Sequence, residues 1–427
     1  MNDKKLPFTK EQILEKIKKY PTPFHIYDEK AIRNNAKKLY KAFSWVKGKN
    51  NEGFKNFFAV KACPNPYILK ILKEEGMGTD CSSLPELMLS EKVGVRGEEI
   101  MFTSNDTPDE EFVKAKQLGA IINLDDITFI ERLEKAAGIP DLICFRYNPG
   151  QLKKGNQLIG NPVEAKYGLT REQIIDAYRI MKENGVKRFG LHTMVVSNML
   201  DVDYLIGTAK MLFELIVEIH EKVGIEFEFV NLGGGIGIPY KLEDNPVDYE
   251  VFSKGVKKYY DELIVANKLD PIRVVMECGR AITGPYGFLV MKARHVTHKY
   301  RDFVGVDACS ANLMRPLLYG AYHHITVLGK ESLPCDNVYD VVGSLCENTD
   351  KLAVQRKLPE IKVGDILVQH DTGAHGHAMG FNYNGKLRSA ELLLRPNGKV
   401  VQIRRAETVD DYFSTLDFDS LKNFNPN

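Results

Sequence analysis

The sequence has little of several features that mark specialised protein classes. Its seven cysteines, among 427 residues, are scattered without CxxC or paired Cys/His spacing, so neither a disulfide scaffold nor a zinc site is expected. The 58 Lys and Arg residues nearly balance the 57 Asp and Glu residues, and nothing electrostatic therefore points to nucleic acid or anionic membranes. No apolar run reaches membrane-spanning length, and the first residues lack the apolar core of a signal peptide. We expect a cytoplasmic protein without a metal site.

What the sequence does have is a regular alternation of short apolar runs and helix-like stretches over residues 56–280. The eight apolar runs begin at Asn56, Met77, Glu99, Ala120, Leu142, Arg188, Glu226 and Arg273. Strand–helix alternation repeated eight times predicts an α/β fold with a parallel (β/α)8 TIM barrel. Such barrels hold their chemistry at the C-terminal ends of the strands.

After about Tyr286 the sequence becomes β-rich, without regular helices between the apolar runs. Asn397-Gly398 lies between two of these runs and is a strong hairpin signal. We predict a barrel at residues 41–285 and a C-terminal antiparallel β domain, a sandwich or barrel, at residues 286–427. The N-terminal segment, residues 1–40, contains one β-like run and is expected to add a strand to that β domain.

Three groups of residues lie at the predicted strand ends. Lys61 follows the first strand, where it is either a solvated lysine or an amine placed to form an imine with an aldehyde cofactor. The run Gly233–Gly235 follows the seventh strand; such turns are common without ligands, but their backbone N–H groups can converge on a phosphate. Glu277 follows the eighth, where a buried carboxylate needs a partner such as a protonated pyridine nitrogen. Together the three indicate pyridoxal 5′-phosphate (PLP).

Longer motifs strengthen this interpretation. They are FAVKACPNPYIL from Phe58, NLGGGIGIPY from Asn231, ECGRAITG from Glu277, MRPLLYGAYHH from Met314, SLCEN from Ser344 and DTGAHGHAMGFNYN from Asp371. In this order they resemble the alanine-racemase-like, fold type III PLP decarboxylases. From about Pro21 to Phe413 the chain most resembles the diaminopimelate decarboxylase family. The resemblance implies conversion of meso-2,6-diaminopimelate to L-lysine and CO2, the last step of lysine biosynthesis.

The resemblance also implies roles for individual residues. Lys61 would bind PLP covalently and Cys346 would be the catalytic thiol that returns a proton to the substrate. The residues implied around the cofactor are Lys61, Asp80, Arg146, Met194, Ser197, Gly234, Gly235, Glu277, Gly279, Arg280, His375 and Tyr383. The residues implied for the substrate are Arg280, Arg315 and Tyr319 at its distal carboxylate and Glu347 at its distal ammonium. In the family the Cys and Glu reach the neighbouring subunit's active site, so a homodimer with shared active sites is implied.

The chain departs from the family pattern at three positions. Met194 stands where the family has a histidine that stacks on the cofactor ring, Val196 replaces a glycine, and His375 replaces a tyrosine near the phosphate. Two alternatives therefore stay open. One is a PLP decarboxylase of another carboxylated diamine or basic amino acid, such as carboxynorspermidine, ornithine or lysine. The other is a PLP-binding homologue without catalytic activity.

Overall fold

The computed structural model describes residues 4–156, 158, 160–422 and 424. These residues form two compact units, one of Glu29–Pro285 and one of Lys4–Asp28 together with the chain from Tyr286 onward. The first unit contains a closed parallel barrel and the second a β sheet, which confirms the predicted fold class. The domain limits of 1–40, 41–285 and 286–427 stay a prediction.

The secondary structure elements are numbered in chain order through the described residues. The strands are β1 (Phe24–Asp28), β2 (Lys55–Ala59), β3 (Gly78–Cys81), β4 (Ile100–Thr103), β5 (Ile121–Leu124), β6 (Leu142–Tyr147), β7 (Arg188–Thr193), β8 (Phe229–Asn231), β9 (Arg273–Met276), β10 (Gly287–His298), β11 (Asp302–Val306), β12 (Ile325–Val327), β13 (Asn337–Val342), β14 (Lys351–Leu358), β15 (Ile366–Gln369), β16 (Ala390–Leu394) and β17 (Val400–Arg404). The helices are α1 (Lys10–Ile17), α2 (Glu29–Ala42), α3 (Pro66–Glu74), α4 (Leu84–Lys92), α5 (Asp109–Gln117), α6 (Phe129–Ala137), α7 (Arg171–Glu183), α8 (Val202–Val223), α9 (Tyr249–Tyr260), α10 (Arg280–Thr283), α11 (Arg315–Tyr319), α12 (Val409–Phe413) and α13 (Phe418–Leu421).

Strands β2 to β9 form the barrel in sequence order, and each of the eight predicted strands is present. Pairing of β2 with β9, with Lys55 opposite Val275, closes the ring. The barrel core is made of large apolar side chains from these strands, among them Phe57, Met101 and Phe229. Gly190 of β7 is needed beside Phe229, because a Cβ there would lie 2.0 Å from the Phe229 ring. Because apolar side chains fill this part of the barrel, the polar groups lie at the strand ends.

The β sheet of the second unit has the strand order β14-β13-β11-β10-β1-β16-β17, and β15 pairs with both β10 and β12. Strand β1 lies between β10 and β16, which confirms that the N-terminal segment adds a strand. The sheet is mixed rather than purely antiparallel, because β1 runs parallel to β16 and β11 runs parallel to β13. The predicted hairpin joins β16 to β17 through a turn in which Gly398 has φ +80°.

Within these described ranges, no helix is both long and apolar enough to cross a membrane. Over the same residues, no group of three or more His, Cys, Asp and Glu side chains is arranged to hold a metal ion. All seven cysteines are free thiols.

Candidate active site

Lys61 lies in a short 3-10 turn, Val60–Ala62, directly after β2. Its side chain is exposed while the flanking Val60 and Ala62 are buried, so the packing of the turn directs the lysine outward. Gly279, the N-cap of α10, packs against the same turn. A Cβ at Gly279 would lie 2.7 Å from the Cβ of Ala62, so glycine is what permits this approach.

Asp80 in β3 is a buried acid whose Oδ1 has no hydrogen-bond partner. Burial raises the pKa of Asp80 well above its usual range, and the negative charge of Glu277 raises it further, although Lys61 and Arg146 partly offset both effects. Burial thus disfavours the charged form of Asp80. Asp80 and Glu277 are two neighbouring acids whose pKa values are shifted in opposite directions.

Glu277 directly follows β9 and is held by two side-chain hydrogen bonds. Its Oε2 lies 3.0 Å from His192 Nε2 and its Oε1 accepts from Asn231 Nδ2 at 2.7 Å. Burial alone would raise the pKa of Glu277, but the interaction with the His192 ring and the Asn231 hydrogen bond outweigh burial and hold this pKa below its usual range. The result is a buried carboxylate that stays anionic and can face a cationic group.

The orientation of His192 is set by a second amide. Asn123 Nδ2 lies 2.8 Å from His192 Nδ1 and also donates to Thr103 Oγ1 at 2.9 Å. Because the amide nitrogen is a donor, His192 Nδ1 accepts and Nε2–H points to Glu277. The Asn123 amide thus orients the His192 ring toward the acid.

Arg146 in β6 is buried and held on two sides. Its Nη1 lies 3.3 Å from Asp125 Oδ1, and its guanidinium lies 3.8 Å from the centroid of the Tyr167 ring. Burial raises the pKa of Asp125, which the Arg146 charge partly offsets. An ion pair and a cation–π contact together fix the position of the guanidinium at this strand end.

The glycine run after β8 approaches its neighbours closely. A Cβ at Gly234 would lie 2.7 Å from the Glu277 carbonyl oxygen, and one at Gly235, where φ is +92°, would lie 2.4 Å from the Val196 carbonyl oxygen. The Gly234 N–H contacts Met194 Sδ at 3.3 Å. Larger residues are thus excluded from this loop. The Gly233 N–H is also engaged, because it donates to Asn231 Oδ1 at 2.9 Å.

Arg280, the first residue of α10, lies beside the same loop. Its Nη1 donates to Tyr240 Oη at 2.6 Å and its Nη2 donates to Ser197 Oγ at 3.3 Å. Ser197, predicted from sequence near the cofactor phosphate, is therefore in direct contact with a guanidinium. The remaining donor capacity of Arg280 is available for an anion.

In the second unit, the loop after β13 carries Cys346 and Glu347, both exposed. The Cys346 backbone N–H donates to Asn384 Oδ1 at 2.7 Å, and Tyr383 Oη donates to Glu347 Oε1 at 3.1 Å. The Glu347 hydrogen bond and charge raise the pKa of Tyr383. Tyr383 and Glu347, both predicted as site residues, are thus in direct contact, and Cys346 precedes Glu347 in the same loop.

Arg315 and Tyr319 are the first and last residues of α11. Arg315 is buried and its Nη1 donates to His323 Nε2 at 2.7 Å, while His323 Nδ1 lies 2.8 Å from the His370 carbonyl oxygen. Tyr319 is half-buried. His375 lies in the loop after β15 with φ +54° and is half-buried. The helix keeps the arginine and the tyrosine close in space.

Sequence reasoning left several of these contacting side chains out. They are Asn123, Asp125, Tyr167, Asn231 and Tyr240. Two carried a usable signal: Asn123 and Asn231 lie in or at the end of otherwise apolar strands, where a buried amide must find hydrogen-bond partners. Tyr167 and Tyr240 lie in irregular segments, where spacing predicts no contact.

Comparison with known proteins decides the family. The profile described as "Pyridoxal-dependent decarboxylase, pyridoxal binding domain" matches residues 30–284. The chain belongs to this family. It is 43% identical to Protein TabA of Pseudomonas amygdali pv. tabaci over 408 residues, covering 95% of this chain and 94% of the relative. It is 34% identical to the diaminopimelate decarboxylase of Methanothermobacter thermautotrophicus over 400 residues, covering 93% and 92%.

Solved structures extend the likeness to the whole fold. Diaminopimelate decarboxylase from M. jannaschii, in complex with L-lysine, superposes with a TM-score of 0.87 at 28% identity, covering 97% of this chain and 94% of that one. The Helicobacter pylori enzyme, also complexed with L-lysine, gives a TM-score of 0.85 at 25% identity, covering 96% and 100%. The chain is a PLP-dependent carboxy-lyase of the diaminopimelate decarboxylase family.

The residues of the first unit fit PLP. The glycine loop is packed so tightly that a Cβ is excluded, which suits a phosphate that approaches the backbone. Glu277 is a buried anion suited to a protonated pyridine nitrogen, and Lys61 presents an exposed amine at the same end of the barrel. Asp80 Oδ1 is a buried polar atom that lacks a protein hydrogen-bond partner.

Proposed function

We propose that the chain decarboxylates meso-2,6-diaminopimelate to L-lysine and CO2 as the last step of lysine biosynthesis. The observation that carries the proposal is the Cys346–Glu347 pair, in which Glu347 is held by Tyr383 at 3.1 Å. A glutamate next to the catalytic thiol matches the diaminopimelate enzymes, whereas decarboxylases of plain diamines usually have aspartate there. Relatives named diaminopimelate decarboxylase, 28–34% identical over most of both chains, support the same substrate.

The barrel residues prepare the substrate for loss of CO2. PLP, when bound, supplies an electrophilic aldehyde and a ring that accepts the electron pair left behind by CO2. Lys61 would hold the cofactor through its side-chain amine, and the same amine would be able to move protons within the site. Glu277 stays anionic and holds a proton at the pyridine nitrogen. Two hydrogen bonds, from Asn231 and His192, keep that carboxylate in place. Asn123 in turn holds the opposite side of the His192 imidazole.

Residues of the second unit set specificity and finish the reaction. Arg315 and Tyr319, with Arg280 of the first unit, are proposed to bind the distal carboxylate, and Glu347 the distal ammonium. A substrate that lacks the second carboxylate forgoes the hydrogen bonds that these residues would make to it, a loss of roughly 1–3 kcal/mol or more. Cys346 then donates its thiol proton to the α-carbon, in place of the lost carboxylate.

We further propose a homodimer with shared active sites, because in the family the residues matching Cys346 and Glu347 serve the neighbouring subunit. Their exposure in the single chain is compatible with that role. A cytoplasmic location is proposed from the free cysteines and the family's metabolic role.

One observation favours a second candidate. Protein TabA is 43% identical to this chain, against 34% for the Methanothermobacter diaminopimelate decarboxylase. A related substrate, such as carboxynorspermidine, ornithine, lysine or another carboxylated diamine, is therefore the alternative. A non-catalytic PLP-binding homologue, motivated by Met194 and Val196, ranks below it.

A substrate panel separates these candidates. PLP-loaded protein is given meso-diaminopimelate, carboxynorspermidine, L-ornithine or L-lysine, and release of CO2 and amine is measured for wild type and Glu347→Gln. We expect kcat/KM for diaminopimelate to exceed that for ornithine by at least about 100-fold, and Glu347→Gln to reduce this ratio. Faster turnover of another substrate would replace the assignment, and no turnover of any would favour the non-catalytic homologue.

A further inference from the structure

The second unit contains a cavity of about 270 Å³ that no step of the proposed reaction uses. It is lined entirely by polar and charged residues, which come from the loop between β15 and β16, from the end of β17 and from the segment after β17. Besides His377 these are Arg388, Ser389, Arg404, Arg405, Glu407 and Asp411. A cavity with such walls is suited to a small polar ligand, since ligand sites for larger molecules are mostly apolar and start at roughly 300 Å³.

The acidic groups of this cavity are already engaged. Asp411 accepts from both terminal nitrogens of Arg405 and from Thr408. Glu407 Oε2 accepts from Asn382 Nδ2 and from the Arg388 backbone N–H, each at 2.8 Å. Arg404 donates through Nε to Glu391. These carboxylates therefore have little capacity left for a cationic ligand.

Two polar side chains of the cavity, by contrast, have an atom without a hydrogen-bond partner. Ser389 is 5% exposed and its Oγ has no hydrogen-bond partner. The buried Nε of Arg388 has none either, and Arg388 forms no ion pair with a carboxylate of the described chain. Its Nη2 donates only to His377, at 3.0 Å to Nδ1 and 2.6 Å to the carbonyl oxygen. Buried groups left without partners are rare in native proteins and call for a ligand or a water.

We propose that this cavity binds a small oxyanion, a phosphate or a carboxylate, through Arg388 and Ser389. The unmatched donors select an acceptor-rich ligand, and the guanidinium supplies the charge. Arg388 also donates to the His377 carbonyl oxygen, and Glu407 accepts from Asn382. His377 and Asn382 are the two ends of the segment that leads to Tyr383. An anion bound to Arg388 therefore stabilises the segment that carries Tyr383.

Calorimetric titration of PLP-loaded protein tests the site, because the cofactor phosphate then fills its own site in the barrel. Inorganic phosphate and succinate are titrated separately at matched ionic strength. Saturable binding of one anion per chain is expected. Ser389→Ala should weaken it about tenfold and Arg388→Gln at least tenfold. Arg132→Gln, a matched loss of charge at an exposed arginine paired with Asp109, should leave it unchanged.

Binding of phosphate alone would identify a phosphate site, and binding of succinate as well would identify a carboxylate site; both outcomes support the proposal. Absence of saturable binding of either anion would overturn it. So would equal affinity in Ser389→Ala, Arg388→Gln and Arg132→Gln, which would indicate an adventitious ion only. If Arg388→Gln does not fold, Ser389→Ala decides alone, because it removes a single hydroxyl.

Discussion

Met194 touches the glycine loop through its sulfur, which lies 3.3 Å from the Gly234 nitrogen. A thioether accepts hydrogen bonds weakly, and it can pack on an aromatic ring for roughly 0.3–1.5 kcal/mol. It cannot supply the hydrogen bonds or the charge of an imidazole at this position. We therefore expect the cofactor to be held chiefly by Lys61, by the glycine loop and by Glu277.

Restoring histidine at position 194 tests this interpretation. We expect Met194→His to bind PLP more tightly than wild type. An imidazole can stack on the pyridine ring of the cofactor, and the Gly234 N–H would no longer contact the Met194 sulfur. The dissociation constant is measured by fluorescence titration of cofactor-free protein, with Met194→Leu as the variant that packs without sulfur. Equal affinity in Met194→His and wild type would contradict the expectation.

Cys346→Ala should lower kcat by about 10²–10⁴-fold, the range for loss of a positioned general acid. The absorbance of the bound cofactor should not change, because the proposed role of Cys346 is to protonate the substrate carbon and not to bind the cofactor. Cys335→Ala, which removes the other exposed cysteine, is the matched control and should keep full activity. Loss of the cofactor absorbance in Cys346→Ala would show that the thiol has a different role.

Gly235→Ala should prevent the glycine loop from packing against the Val196 backbone as it does in wild type. The alanine would carry φ +92° and place its Cβ 2.4 Å from the Val196 carbonyl oxygen, so both strain and a backbone clash oppose it. Gly97→Ala isolates the strain, because Gly97 has φ +63° with no atom within 4 Å. We expect a loss of unfolding free energy of about 1–2 kcal/mol for Gly97→Ala and a larger loss, with weaker PLP binding, for Gly235→Ala. Urea denaturation and PLP titration give the two quantities, and equal effects would rule out the clash.

The barrel strands could be predicted because each is a short apolar run that ends in polar or glycine residues. Strand β14 is hard to recognise from the sequence, since four of its eight residues are charged or amide side chains and its apolar run is only three residues long. The parallel pairing of β1 with β16 joins residues more than 360 positions apart, and no local pattern encodes it. The same holds for the contacts of Glu277 with His192 and Asn231, because these three residues belong to the ends of three different strands.

Three buried histidines make the β sheet of the second unit sensitive to acid. Burial lowers the pKa of His25 and of His370 to about 3 and that of His324 to about 4. The unfolded chain takes up these protons near pH 6.5 and the folded chain does so only near pH 3 to 4. Stability is therefore complete above pH 6.5 and falls as the pH drops toward the folded values.

Because the unfolded chain binds a proton at His25 and at His370 that the folded chain does not, a drop to pH 5 should lower the free energy of unfolding. The expected loss is roughly 2 kcal/mol for each of the two rings. The His25→Gln variant should show a smaller loss than wild type between pH 7.5 and pH 5, measured by urea denaturation. His298→Gln, at an exposed histidine, serves as the control. If His25→Gln and wild type lose the same stability over this interval, the buried ring is not the cause.

At the scale of the whole molecule, the chain matches its relatives along almost their whole length, barrel and β sheet alike. Fold, cofactor and reaction class follow from that likeness. The proposed substrate rests on a few side chains of the second unit, namely Arg315, Tyr319, Cys346 and Glu347. Assembly depends on surfaces that a single chain does not display.

The most direct test is release of CO2 and L-lysine from meso-diaminopimelate by PLP-loaded protein, with Lys61→Ala as the control. We predict that wild type forms both products in equal amounts and that Lys61→Ala forms neither above a trace. Absence of lysine from wild type that carries bound PLP would contradict the proposed substrate, and equal activity in Lys61→Ala would contradict the proposed site.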